Sequence, residues 1–160
     1  MKQILPIDVA NIKELLMINA FDEPVTLNDL LFACFIIERI SRRIHRSNLY
    51  VVTNIKTEGI TYLLEFATTL HSQNFNQTCD EMILEYKLKN GKIVKPEKPS
   101  DLLIGNVYSE LIWKVQQEDL VQTVIDVYNS PICKVIDNYK TLAYLDPTPV
   151  LVNAYYNKRY

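Results

Sequence analysis

Apolar positions change their period several times along the chain, and each change predicts an element. From about Asp8 to Ala20, Ile12, Leu15 and Leu16 recur at helical spacing behind Asp8, a residue suited to capping. Phe21-Asp22-Glu23-Pro24 breaks that run. The second stripe is clearer. Leu30, Ala33, Cys34, Ile37, Ile40 and Ile44 follow spacings of three and four between about Leu27 and Arg46. Thr26 precedes it with Asp29 three residues on, the arrangement of a capping box.

A different pattern follows. Leu49 to Ile55 is apolar and β-branched, and Ile60, Tyr62, Leu64 and Phe66 alternate with their neighbours beyond a turn at Gly59. The pair predicts a hairpin. Met82, Leu84, Tyr86 and Leu88 then alternate with Ile83, Glu85, Lys87 and Lys89 up to Asn90-Gly91, the dipeptide favoured in a type I′ turn. Lys92 to Lys95 makes the returning strand, which Pro96 and Pro99 end. Helical spacing resumes at Ile104, Val107, Leu111 and Val115 behind Ser100. It continues through Leu120, Val121, Val124 and Tyr128, and again behind Ser130-Pro131. Asp146-Pro147-Thr148-Pro149 then reads as a stop, with an extended aromatic tail beyond it.

Segregated helices and strands predict an α+β fold. Its parts are two N-terminal helices, a central antiparallel sheet of about four strands with the Asn-Gly hairpin, C-terminal helices and an extended tail. Residues 1–146 form the expected single domain and 147–160 an extended C-terminal arm.

Composition narrows the class. The chain has 160 residues, 48% hydrophobic and 22% charged, with a formal net charge of -2. That is the balance of a globular domain, without the charge excess that would mark the whole molecule for a polyanion. Three cysteines, Cys34, Cys79 and Cys133, are an odd and scattered set that predicts free thiols. The N-terminal stretch, interrupted by Asp8, Lys13 and Glu14, predicts no signal peptide. The longest apolar run, Leu30 to Ile37, is short of a membrane span. A cytoplasmic location is expected, or one within a virus particle assembled in the cytoplasm.

Catalytic signals are sparse. Three glycines leave little material for phosphate-binding loops or nucleophile elbows. His45 and His71 have no partner at metal-ligand spacing. No enzyme, cofactor, metal site or small-molecule substrate is predicted. Two features point to macromolecular contact instead. Arg39, Arg42, Arg43 and Arg46 share one face of the second helix, opposite its apolar stripe, and lysine is absent from Lys13 to Lys56. That face suits a nucleic-acid phosphate or an acidic protein partner, and equally an ordinary wet helix face. In the tail, Val150, Val152, Tyr155, Tyr156 and Tyr160 are the expected subunit interface.

Residues 31–58 carry five basic and two acidic side chains, and residues 101–129 one basic and five acidic. Opposite segments of this kind can pair within a chain or head-to-tail between copies. The expected role is a non-enzymatic structural or assembly subunit, of the kind found in a tailed-phage-like neck, connector or ring. Its partners would be copies of itself and other proteins of the assembly, with no membrane contact. The alternative is a small regulatory binding module: a nucleic-acid binder, a chaperone or an inhibitor of a larger enzyme.

Overall fold

A computed structural model describes residues 24–160. The expected helix at residues 8–20 lies outside them. Eight α-helices follow in order: α1 (Leu27–Ile44), α2 (Asn48–Glu65), α3 (Ala67–Leu70), α4 (Phe75–Glu85), α5 (Asp101–Val115), α6 (Leu120–Tyr128), α7 (Pro131–Asp137) and α8 (Thr148–Asn157). Two short 3-10 turns, Tyr139–Thr141 and Ala143–Leu145, lie between α7 and α8. The described residues contain no strand. The fold is all-α, which overturns the expected α+β class and its four-stranded sheet.

Helix α1 is the hub. The capping box forms as predicted: Asp29 N–H donates to Thr26 Oγ1 and Thr26 N–H to Asp29 Oδ2. Leu30, Phe32, Ala33, Cys34, Ile36, Ile37 and Ile40 are buried all round the helix, so neighbours cover it on several sides. It packs against α5 and α2, and more lightly against α4 and α3. The α1–α5 approach is close because Gly105 has no side chain; a Cβ there would sit 2.8 Å from Phe35 N and 2.9 Å from Phe35 Cα.

Helix α2 occupies the first predicted hairpin. Its β-branched run reads equally as a helical face, because Val51, Val52, Ile55, Gly59, Ile60, Leu63 and Leu64 are buried at helical spacing. Packing against α1 and α6 outweighs the β preference of Val and Ile. Ser47 caps the start, accepting from Tyr50 N–H at 3.0 Å. A break at Lys56 (φ 61°, ψ −172°) bends the helix where the turn was expected.

The Asn-Gly hairpin is also replaced. Its first strand is the end of α4, and residues 88–96 run without regular structure. Gly91 does not have positive φ. Its N–H donates to Ile44 O at 2.7 Å, and Ile93 N–H donates to His45 O at 2.9 Å. The intended returning strand thus satisfies carbonyls left over at the C-terminus of α1. Gly91 is needed for proximity: a Cβ would lie 2.5 Å from His45 O.

The tail is helical as well. Pro147 and Pro149 sit at the N-cap and first turn of α8, where a missing N–H costs nothing. Leu151 and Ala154 are buried, and α8 packs on α5 and α7. The prolines start this helix; they do not stop one. No helix among the described residues is long and apolar enough to cross a membrane.

Candidate functional site

Arg39, Arg42 and Arg43 share a face of α1, but Arg46, expected on the same face, lies past the left-handed C-cap His45 that ends the helix. The fold turns all four onto the chain itself. Arg39 Nε donates to Asn76 Oδ1 at 3.1 Å, and its Nη1 lies 3.4 Å from Asp101 Oδ2. Arg42 donates to Pro96 O at 3.0 Å, to Pro99 O at 2.7 Å and to the Tyr139 hydroxyl at 3.3 Å. Arg43 reaches Asn76 O and pairs with Asp80. Arg46 stacks over the Tyr50 ring with its guanidinium carbon 4.4 Å from the centroid. Three of the four are half-buried and Arg43 is exposed.

The predicted interface residues of the tail divide by helical phase within α8, with Tyr160 lying past its end. Val152 and Tyr155 are half-buried against the core, while Val150, Tyr156 and Tyr160 are exposed. Val150, Val152 and Tyr156 border an open cavity of about 740 Å³ together with Lys114 and Pro149.

A buried polar cluster, invisible in the sequence, lies beneath α1. Glu38 is fully buried. Asn48 Nδ2 donates to Glu38 Oε2 at 2.9 Å and to Asp137 Oδ1 at 3.2 Å, so one amide bridges two carboxylates. Tyr108 O–H donates to Asp137 Oδ1 at 2.9 Å, and Cys133 Sγ lies 3.3 Å from Asp137 Oδ2. Lys95 Nζ is 3.9 Å from Glu38 Oε1, an ion pair without a hydrogen bond. Burial and the neighbouring Asp137 push the Glu38 carboxyl up to about 7, against the pull of Lys95, Asn48 and Arg42. Burial also raises the Cys34, Cys79 and Cys133 thiols, which disfavours the nucleophilic thiolate. No group of three or more His, Cys, Asp or Glu side chains suited to a metal ion occurs among the described residues.

A groove with a distinct chemical lining lies elsewhere, between α2 and α4. It encloses about 610 Å³. Glu58, Thr61, Tyr62 and Glu65 come from one face of α2 at i, i+3, i+4 and i+7; Glu81, Met82 and Glu85 come from one face of α4. Phe66 and Tyr86, the C-caps of the two helices, complete the wall. The Tyr62 and Phe66 rings lie 5.3 Å apart. Burial, then the charges of Glu58 and Glu85, raises the Tyr86 hydroxyl above its ordinary value. All four glutamates are exposed, and no Lys, Arg or His lines the groove. The arrangement offers ring faces and carboxylates to one kind of guest, a cation with an apolar stem.

Its sequence signal was the helical spacing of Glu58, Tyr62 and Glu65 and of Glu81 and Glu85. A strand reading hides it, because it sets Glu81 and Glu85 in line with Ile83. No family model matches the chain, and no curated protein or solved structure matches it either. The helical fold carries nothing that points to a virus particle or a structural subunit of one, and that expectation goes no further.

Proposed function

We propose that this chain is a non-catalytic binding module that holds a basic segment of a protein partner in the groove between α2 and α4. The observation behind the reading is the groove's chemistry: four exposed carboxylates around Tyr62, Phe66 and Tyr86, with no cation of the chain itself among the lining residues. A lysine or arginine stem lies along Met82 and the rings, and its charged head meets the glutamates. Exposed charge pairs are individually weak, on the order of 0.2–1 kcal/mol. Binding is therefore low in affinity, salt-sensitive and dependent on several contacts at once. The test is fluorescence anisotropy with labelled peptides that mix Lys, Arg and Leu, set against acidic peptides of equal length. Basic peptides should bind, more weakly as salt rises, and Glu58→Gln with Glu85→Gln should cut affinity severalfold. Basic peptides that ignore both substitutions would sink the reading.

A self-association reading has one observation in its favour. Val150, Tyr156 and Leu145 expose apolar surface on and beside α8, and Val150 and Tyr156 line the open cavity that Lys114 also borders. Copies of the chain would then meet through α8 as a packed helix. Light scattering of the wild type and of Tyr156→Glu decides it; a monomer at all concentrations removes it.

A further inference from the structure

We propose that the lysine-rich segment between α4 and α5 docks the protein on an anionic lipid surface. This surface is separate from the α2–α4 groove and does not depend on it. Lys87, Lys89, Lys92 and Lys98 are exposed, and none of them forms an ion pair among the described residues. Glu97 is the one acidic residue between Lys87 and Lys98.

Aliphatic side chains stand among these charges. Leu84 and Val94 are each 80% exposed, and Ile93 is 48% exposed. Leu84 borders a shallow cavity with Lys87 and the Arg43–Asp80 pair at the C-terminal end of α1, the end that Gly91 and Ile93 also contact through the backbone. Solvent gives a leucine nothing at that exposure. A bilayer interface accepts both halves of the pattern, with ammonium groups at the lipid phosphates and aliphatic groups at the acyl boundary.

The segment is held in place before it meets a ligand. Its backbone is tied to α1 through Ile44 O and His45 O, to Arg42 through the Pro96 and Pro99 carbonyls, and to the Tyr50 hydroxyl through Lys89 N–H. Little ordering entropy remains to oppose docking. Nucleic acid fits less well. No aromatic side chain lies between Lys87 and Lys98 to stack on a base, and a phosphate backbone makes no use of Leu84 or Val94. The sequence predicts no membrane contact, and no described helix spans a bilayer. Surface adsorption needs neither a span nor a long apolar run.

The experiment is co-sedimentation of the full chain with vesicles of phosphatidylcholine alone and of phosphatidylcholine with phosphatidylserine, beside a gel-shift arm with duplex DNA. Anionic vesicles should bind at least about tenfold better than neutral ones, given the attraction of several lysines to the surface. Lys87→Gln, Lys89→Gln and Lys92→Gln together should abolish that preference. Leu84→Ser with Val94→Ser should weaken vesicle binding and leave the circular dichroism unchanged. Equal binding to both vesicle types overturns the proposal. So does vesicle binding that the serine substitutions do not touch, or DNA binding at least as tight as vesicle binding.

Discussion

The positive charge of this chain falls into two sets that lie side by side and behave differently. Arg39, Arg42 and Arg43 on α1 and Arg46 just past its end spend their donors on carbonyls, amides, carboxylates and rings of the same molecule. The lysines from Lys87 to Lys98 lie on the segment that crosses the end of α1, and all but Lys95 point into solvent. A planar fork with five donors can clasp two carbonyls and an aromatic hydroxyl at once, as Arg42 does, whereas an ammonium on a flexible stem is held well only by a nearby point charge. The kind of cation thus tells more about its task than the number of cations on a face. Arg42 and Arg46 fasten the segment, Arg39 and Arg43 tie α1 to α4 and α5, and the lysines are what the fastened segment presents.

Breaking the clasp should have the largest effect. Arg42→Ala removes the donors to Pro96 O, Pro99 O and Tyr139. Charge-assisted bonds of this kind contribute roughly 1.5–3 kcal/mol each, so a net loss of about 3 kcal/mol is expected in urea unfolding. Arg42→Lys keeps the charge but not the fork and should recover less than half of it. Arg43→Ala, on the exposed pair with Asp80, should cost under about 1 kcal/mol. Similar losses at positions 42 and 43 would mean that the clasp does not matter.

The contact between the two sets is next. Gly91→Val places a Cβ against His45 O and the Arg46 side chain, where a built Cβ already comes within 2.5 Å and 2.6 Å. The expected loss is about 2 kcal/mol, in the range of an overpacked site. The same change with no loss, or with the 88–96 segment unmoved in amide chemical shifts, would show that the approach to α1 is not tight.

Part of this was legible in the sequence. Thr26 with Asp29, Ser100, and Ser130 before Pro131 marked three helix starts, because capping chemistry is local. The expected sheet came from patterns that two structures share. Leu84 alternates with Met82 and Tyr86 as a strand residue would, yet in α4 it simply faces water. Pro147 and Pro149 have the same residue types whether a helix ends before them or begins at them. The arginines were visible, but their partners lie on α2, α4, α5, the turn at Tyr139 and the segment between α4 and α5, which no local pattern brings together. The Glu38–Asn48–Lys95–Asp137 cluster is drawn from four distant stretches and left no signal at all.

Lys95 is the exception among the lysines, and it sharpens the comparison through pH. The Glu38 carboxyl, ordinarily near 4.5, is pushed up to about 7 by burial and Asp137. Between those values the folded chain holds a proton that the unfolded chain has released. Stability should therefore fall as pH rises from about 4.5 to 7, and should depend little on Glu38 above that. The fall is on the order of 3 kcal/mol. Glu38→Gln removes the titrating group and should flatten the profile. An unchanged slope in that variant would assign the pH dependence to other groups and leave the Glu38–Lys95 pair as an ordinary contact.

The smallest expected effect is the most telling about the second set. Lys87, Lys89 and Lys92 make no side-chain hydrogen bond or ion pair among the described residues. Changing all three to Gln should move the unfolding free energy by no more than about 0.5 kcal/mol, the usual range for surface substitutions without partners. Their mutual repulsion is also relieved, so a slight gain is as acceptable as a slight loss. The backbone bonds from Gly91 and Ile93 to α1 and the Arg42 clasp remain, and the segment should keep its amide protection in hydrogen exchange. A loss above 1 kcal/mol, or a segment that becomes exchange-labile, would show that these lysines hold the fold as the arginines do. The division between fastening and presenting charges would then collapse, and with it the reason to read the lysines as a surface meant for something outside the molecule.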